Sequence, residues 1–245
     1  MSRVGLMLYT VRADCAADFP GTLAAVASLG YEGVELHELH GHAPERVRGW
    51  LDANGLAVAS WHVALDELEA RLEDVAGRAE TLGTNRLVVP WIVVPDTVGG
   101  AEEMADRLER LTGAAAALGM SLCFHNHADE LRALEDGRTF LDRLLGGPIL
   151  LELDLGWAWW AGADPVVLLD RMRGRVPLVH VKDFLDREGP SFCPVGDGSV
   201  GYERIVPRAG HEIEWLLVEQ DETAGPALDA ARRSLAALTP MLEAA

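Results

Sequence analysis

Residues 149–165, with the sequence ILLELDLGWAWWAGADP, predict a buried strand that carries two carboxylates. Side chains alternate along a strand, so Glu152 and Asp154 share one face and the intervening leucines occupy the other. Two carboxylates on an apolar strand are costly to bury without partners. Asp164 and Pro165 then predict a helix start, with Asp as the N-cap and Pro at the first helical position. A carboxylate therefore ends a buried strand just before a helix, where parallel α/β folds bind ligands.

The rest of the chain alternates between strands and helices in the same way. The predicted strands cover residues 4–9, 33–37, 56–62, 86–90, 121–125, 149–155, 176–182 and 215–219. Their starts lie roughly thirty residues apart, which is the length of one βα unit. Strict alternation implies parallel strands and right-handed crossovers. Eight units in 245 residues predict an α/β fold with one (β/α)8 TIM barrel domain over residues 1–245. A doubly wound open sheet is the alternative.

The charge and the cysteines restrict the class of partner and the compartment. The formal net charge of −18 argues against nucleic acid and against an anionic membrane surface as partners. The three cysteines are far apart in the sequence and form no CxxC pair, which argues against a disulfide framework or a zinc ribbon. We see no signal peptide and no membrane-spanning run, so we expect a cytoplasmic protein.

Polar and aromatic residues stand at the ends of the predicted strands, where a TIM barrel has its active site. These residues are Tyr9, His37, His62, Trp91, His125, His127, Asp154, His180, Lys182 and Glu219. One polar strand end means little, but packing alone does not explain a ring of them. We predict that Tyr9, His37, His62, Trp91, His125, His127 and Lys182 bind the substrate.

Four acidic or imidazole side chains predict a site for one divalent metal ion. Asp154, His180 and Glu219 end three successive strands, and Glu130 is the best acid in the loop after strand five, with Glu135 as its rival. Three carboxylates and one imidazole suit Mn²⁺ or Mg²⁺, with Co²⁺ or Zn²⁺ as alternatives. Four protein ligands leave two octahedral positions for a substrate or water.

Each of these residues also has a purely structural interpretation. Asp154 is a plausible N-cap, His180 a buried core histidine, and Glu219 a salt-bridge partner of Lys182. Lys182 either holds a substrate oxygen or phosphate, or pairs with an acid: Asp183, Glu152 or Glu219. The glycine-rich loop 193–201 lacks the spacing of a phosphate-binding loop, so a tight turn or a lid is the better interpretation.

Several motifs, taken in order, resemble the xylose-isomerase-like barrel superfamily in its sugar phosphate isomerase/epimerase branch. They are VGLMLYTVR, GYEGVEL, FHNHADE, LELDLGW followed by AGADPV, VHVKD, PVGDGSVGYERIV and LLVEQDE. The resemblance implies a metal set of Glu130, Asp154, His180 and Glu219, with Glu130 and Glu219 also acting as the acid/base pair. It further implies a small sugar-like substrate and a homo-oligomer. The family's usual glutamate in the glycine-rich loop is Asp197 here.

The resemblance extends to the type four apurinic endonucleases, but this chain departs from them. Trp157 stands where their second histidine on strand six would be, and Asp186-Arg-Glu188 lacks the histidine of their Asp-x-His element. Together with the charge of −18, these departures argue against DNA repair.

The sequence therefore predicts a divalent-metal-dependent isomerase or epimerase of a sugar or a related polyhydroxy carbonyl compound. In that hypothesis the metal stabilises an enediolate, and two glutamates move the proton. The nearest alternative is a metal-dependent dehydratase of the keto-inositol or dehydroshikimate type, because loss of a β-hydroxyl from the same enediolate gives dehydration. An inactivated sugar-binding barrel is a third, non-enzymatic alternative.

Overall fold

Parallel strands close into an eight-stranded barrel in the computed structural model, which describes residues 2–208 and 213–244. The strands are β1 (Arg3–Met7), β2 (Gly33–Leu36), β3 (Ala57–His62), β4 (Arg86–Val89), β5 (Ser121–His125), β6 (Leu150–Asp154), β7 (Leu178–Val181), β8 (Asp183–Phe184), β9 (Phe192–Cys193) and β10 (Trp215–Val218). The order around the barrel is β1-β10-β7-β6-β5-β4-β3-β2, and β8 and β9 form a separate antiparallel hairpin. The predicted TIM barrel is confirmed, because an open doubly wound sheet has two free edges and this sheet has none.

The helices pack around the barrel, and several begin at a side-chain cap or end at a left-handed glycine. They are α1 (Arg12–Ala17), α2 (Phe19–Leu29), α3 (Pro44–Ala53), α4 (Leu65–Leu82), α5 (Val98–Ala117), α6 (Phe140–Leu144), α7 (Leu155–Trp160), α8 (Pro165–Arg171), α9 (Tyr202–Ile205) and α10 (Ala227–Glu243). The predicted cap of α8 is present, with the Asp164 carboxylate accepting the Val166 N–H at 2.9 Å. Gly30 and Gly83 end α2 and α4 in the left-handed conformation. Within the described residues, none of the helices combines the length and apolarity that a membrane span needs.

The structure differs from the sequence prediction immediately after β6. We expected the strand to run to Leu155 and to break at Gly156, whereas α7 begins at Leu155. The reason is the Asp154 carboxylate, whose Oδ1 accepts the Trp157 N–H at 2.7 Å and caps the helix. The three tryptophans therefore lie on or beside a short helix above the barrel. The first predicted strand is also too long, because a 3-10 turn begins at Leu8.

Inward-facing side chains change from apolar to ionisable along the strands. On β7 the sequence at alternate positions is Leu178, His180 and then Lys182, and on β10 it is Trp215, Leu217 and then Glu219. Leu178, Trp215 and Leu217 belong to one buried apolar cluster. Because alternate residues of a strand share a face, the amino-terminal end of the barrel is packed with apolar groups and its carboxyl end is charged. This gradient fixes where the functional site lies.

We predict that Gly156→Ala destabilises the protein by about 1–3 kcal/mol through overpacking. A Cβ at this position would lie 2.1 Å from the carbonyl oxygen of Lys182 and 2.9 Å from its Cβ, so α7 or β7 must move. Urea unfolding monitored by circular dichroism measures the change. The control is Gly113→Ala in α5, where an added Cβ has no heavy atom within 4 Å and helix propensity favours alanine by up to about 1 kcal/mol. An unchanged urea midpoint for Gly156→Ala would contradict the close-approach argument.

Candidate metal and substrate site

A cavity of about 830 Å³ lies at the carboxyl end of the barrel strands. Most of the side chains predicted to bind substrate line it, together with one predicted metal ligand. They are Tyr9, His37, His62, Trp91, His125, His127 and Glu219. The remaining predicted residues from strands six and seven, Asp154, His180 and Lys182, are fully buried. The polar strand ends therefore meet at one place, partly on the cavity wall and partly beneath its floor.

Four buried side chains bring potential metal ligands together at this floor. His125, Asp154, His180 and Glu219 each offer one ligand atom, and these four atoms lie within 4.8 Å of one another. Burial and the nearby His180 hold the pKa of His125 well below its usual value, so its imidazole is in the neutral form that ligates metals. Its Nδ1 is buried and makes no hydrogen bond, although Glu152 Oε2 lies 3.3 Å from it. Two imidazoles and two carboxylates fit Mn²⁺, Co²⁺ or Zn²⁺.

Two hydrogen bonds, one at its backbone N–H and one at its carboxylate, hold Asp154 in place. Its N–H donates to Oδ1 of Asn126 at 3.0 Å, and its own Oδ1 accepts the Trp157 N–H. Its Oδ2 is left to face Lys182 Nζ at 3.1 Å. Burial raises the pKa of Asp154 to about 6, although Lys182 opposes the rise. Oδ1 of Asp154 thus caps the helix α7, and Oδ2 points toward the cluster of potential metal ligands.

A second charged layer lies one step deeper in the barrel and orients His180. His62 Nε2 lies 2.7 Å from Glu152 Oε2 and 3.2 Å from Glu35 Oε1. His180 Nε2 lies 2.6 Å from Glu35 Oε2, while its Nδ1 lies 2.7 Å from Glu219 Oε2. The imidazole of His180 is therefore held at both ring nitrogens. The contact of Nε2 with Glu35 is of the kind that orients metal-ligating histidines, and Nδ1 would have to lose its proton to bind a metal ion.

The deeper layer is close to neutral because its opposite charges balance. Burial alone would lower the pKa of His62, but Glu35 and Glu152 outweigh it and raise the pKa to about 10. Burial alone would likewise lower the pKa of His180. Three carboxylates, including Glu152, outweigh burial and hold this pKa well above its usual value. These four side chains also form a group that can hold a metal ion. Of this group only His62 lines the cavity, whereas both His125 and Glu219 of the upper group do, so we interpret the layer as support for the cluster above it.

Lys182 lies between three carboxylates and does not line the cavity. Its ammonium is 2.8 Å from Glu219 Oε2, 3.1 Å from Asp154 Oδ2 and 2.9 Å from Asp221 Oδ1. Burial would lower its pKa, but these carboxylates raise the pKa above its usual value, so the side chain is a permanent cation. Of the partners left open by the sequence, Glu219 is the one present. Asp221 is an additional partner that sequence analysis missed, although its place two residues after Glu219 gives it the same strand face.

The glycine-rich loop is organised by a carboxylate from the protein itself. Asp183 Oδ2 accepts the N–H groups of Gly196 and Gly198 at 2.9 and 3.2 Å, and its Oδ1 accepts that of Val200 at 3.2 Å. These amides are therefore not available to a phosphate, which agrees with the interpretation as a turn or a lid. Asp197 forms an ion pair with Arg233 instead of lining the cavity.

Glu130 lies apart from the cluster in which the sequence predicted it. A 3-10 turn, Asp129–Leu131, follows β5, and the Glu130 carboxylate turns back to accept the His127 N–H at 2.8 Å. Burial raises the pKa of Glu130 to about 7. The side chain lines a neighbouring recess of about 350 Å³ together with Trp91 and His127. The alternative, Glu135, is exposed. The ligand and acid/base roles of Glu130 stay predictions, and the geometry offers His125 as the strand-five ligand.

Comparison with known proteins identifies the family. Residues 23–241 match the model of the xylose isomerase-like TIM barrel family. The chain belongs to this family. Enzymes named inosose dehydratase are among its relatives: that of Geobacillus kaustophilus is 28% identical over 82% of this chain and 79% of its own length. That of Lacticaseibacillus casei is 23% identical over 83% of this chain and 82% of its own length.

Solved structures of the family share the architecture. A sugar phosphate isomerase/epimerase from Parabacteroides distasonis superimposes with a TM-score of 0.86 over 98% of this chain and 95% of its own. The sequence identity is 20%, so this likeness concerns the fold. The resemblance inferred from the motifs is therefore confirmed at the level of the family.

We predict that His125→Ala loses divalent-metal binding, whereas Glu130→Gln retains it. The imidazole of His125 belongs to the four-residue cluster and the carboxylate of Glu130 does not. The measurement is metal content by inductively coupled plasma mass spectrometry, after stripping with chelator, incubation with Mn²⁺ and gel filtration. Wild type and Glu130→Gln are expected to hold about one ion per chain, as a single catalytic metal site does. The reverse result for the two variants would restore Glu130 as the ligand from strand five.

Proposed function

We propose that this protein is a divalent-metal-dependent dehydratase of a polyhydroxy ketone of the keto-inositol class. The observation that carries the proposal is the position of Glu219, a buried carboxylate at the cavity wall that also belongs to the cluster of four potential metal ligands. The relatives named inosose dehydratase, which match more than four-fifths of the chain, support this choice of chemistry.

The proposed metal ligands are His125, Asp154, His180 and Glu219. A divalent ion bound to this set would polarise the substrate carbonyl and offset the negative charge that develops on its oxygen. The chain's own contribution is a fixed arrangement of ligands: Asn126 holds the backbone at Asp154, and Glu35 holds the ring of His180. Such preorganisation spares the site from rearranging during the reaction.

Glu219 is the proposed base for the proton next to the carbonyl. Burial alone would raise its pKa, but Lys182 and His180 hold the pKa well below its usual value, so the carboxylate is in the ionised form that a base requires. The C–H bond beside the carbonyl breaks, and its proton passes to Glu219. The bond between the β-carbon and its hydroxyl then breaks, and the same proton leaves with that oxygen as water. The product is an unsaturated ketone, and one carboxylate suffices for the whole step.

This single-base scheme favours dehydration over the epimerase reaction that the sequence predicted. Epimerisation needs a second group on the opposite face of the substrate to return the proton. The predicted second group was Glu130, which lines the neighbouring recess and not the cavity that Glu219 lines. We therefore keep epimerisation as the competing outcome of the test below.

The charges around the cavity support an unphosphorylated substrate. Arg12 and Arg78 are the arginines on the described cavity wall, and both already have partners. The protonated His62 on the same wall is paired with Glu152 and Glu35. Arg12 donates to the Tyr9 carbonyl at 2.8 Å and stacks on the Tyr9 ring. Arg78 lies over Trp61 and pairs with Glu67 at 3.6 Å. Acids such as Glu38 and Glu222 also line the wall, so a phosphate group would meet repulsion.

We predict that the Mn²⁺-loaded protein converts a keto-inositol to a product whose mass is lower by one water. Glu219→Gln should reduce kcat by about 10²-fold or more, the usual contribution of a positioned base. Liquid chromatography with mass spectrometry measures the product, and proton NMR in D₂O measures exchange at the carbon beside the carbonyl. Glu130→Gln is the control and should retain turnover. A product of unchanged mass that requires Glu130 would establish the epimerase or isomerase reaction instead.

A further inference from the structure

Lys182 is unusual because lysine is rare in this sequence and because its side chain is buried among carboxylates. It is the one lysine in a sequence that contains 21 lysine and arginine residues. It is also fully buried, with its ammonium within 3.1 Å of the carboxylates of Asp154, Glu219 and Asp221. The other residues in this count are all arginines. A lysine at this buried position therefore indicates a requirement for a compact cation with several donors.

Two of the three carboxylates that hold Lys182 also belong to the proposed metal set. Glu219 Oε2 is 2.8 Å from the ammonium, and Asp154 Oδ2 is 3.1 Å from it. A divalent ion that binds to His125, Asp154, His180 and Glu219 must share these carboxylates with a positive charge that is already present. Like charges at such short range repel each other, and burial weakens the screening of that repulsion.

The third carboxylate offers the lysine a place outside the metal set. Asp221 faces Lys182 Nζ with both oxygens, at 2.9 and 3.1 Å. The backbone of Lys182 is fixed independently, because its N–H donates to the Tyr202 hydroxyl at 2.8 Å and that hydroxyl donates to the Lys182 carbonyl at 2.9 Å. The flexible side chain can therefore move toward Asp221 while its backbone stays in place.

We propose that Lys182 is a resident cation that keeps the carboxylate cluster neutralised without metal and thereby weakens metal binding, so that the ion is exchangeable. Asp221 retains the ammonium when the metal takes Asp154 and Glu219. The proposal rests on the metal set of the proposed function. Removal of the lysine charge should leave buried carboxylates with excess negative charge, which lowers the stability of the metal-free protein and raises its affinity for a divalent ion.

The test is a Mn²⁺ titration of chelator-stripped full-length protein, with free Mn²⁺ measured by electron paramagnetic resonance. Lys182→Met should bind Mn²⁺ about tenfold more tightly than wild type, or tighter still, because the nearest positive charge is gone. Its metal-free form should melt at a lower temperature than the metal-free wild type. Saturating Mn²⁺ should remove this difference in melting temperature. Arg86→Met is the matched control, because Arg86 is a cation paired with Glu214 at 2.9 Å at the opposite end of the barrel. Its Mn²⁺ affinity should stay within about threefold of wild type.

A second variant keeps the lysine and so does not depend on the folding of Lys182→Met. Asp221→Asn removes the carboxylate outside the metal set, and Mn²⁺ affinity should then fall by about tenfold, because the ammonium stays on Asp154 and Glu219. Glu222→Gln removes a nearby negative charge from the cavity wall without touching Lys182, so its effect on affinity should be several-fold smaller.

Three results would overturn the proposal. Equal or weaker Mn²⁺ binding by folded Lys182→Met would show that the lysine only supports the structure. Equal losses of affinity in Asp221→Asn and Glu222→Gln would show a general charge effect in place of a specific position for the ammonium. Absence of Mn²⁺ binding in both wild type and Lys182→Met would overturn the proposed metal set itself, and with it the role of Lys182.

Discussion

A charged group inside an apolar barrel is stable only beside an opposite charge, and this constraint organises the carboxyl end of the fold. In the upper layer Lys182 lies among carboxylates, including those of Asp154 and Glu219. In the lower layer the imidazole of His180 lies between Glu35 and Glu219. Neighbouring features serve this arrangement. An added side chain at Gly156 would collide with Lys182, so the close contact of α7 with β7 depends on that glycine.

The same electrostatic arrangement links structure to the proposed chemistry. Lys182 and His180 keep Glu219 ionised despite its burial, and the proposed roles of this carboxylate as metal ligand and proton acceptor both require the ionised form. The proposed metal exchange requires little movement. Lys182 would keep its contact with Asp221 and give up those with Asp154 and Glu219, while its backbone stays bonded to the Tyr202 hydroxyl.

Much of the site followed from strand ends alone, because alternation along β6, β7 and β10 fixes which side chains face inward. Asp154, His180 and Glu219 therefore come together as the sequence predicted. Glu130 is different, since it stands in a loop, and loop conformation depends on hydrogen bonds that the pattern does not encode. Its carboxylate accepts the His127 N–H and lines the neighbouring recess. The sequence analysis offered Asp154 as an N-cap but extended the strand to Leu155, so it missed the helix α7 that Asp154 caps.

The sequence by itself determined the barrel, its eight-fold alternation and the ring of polar strand ends, because these depend on periodicity and on local caps and glycines. Only the tertiary structure decided which charges meet. His125 lies with Asp154, His180 and Glu219 in a group that could hold a metal ion, and Asp221 is paired with Lys182, through contacts between residues that lie far apart in the chain. Closure of the barrel brings these residues within a few ångströms, and burial then makes each charge depend on its partner.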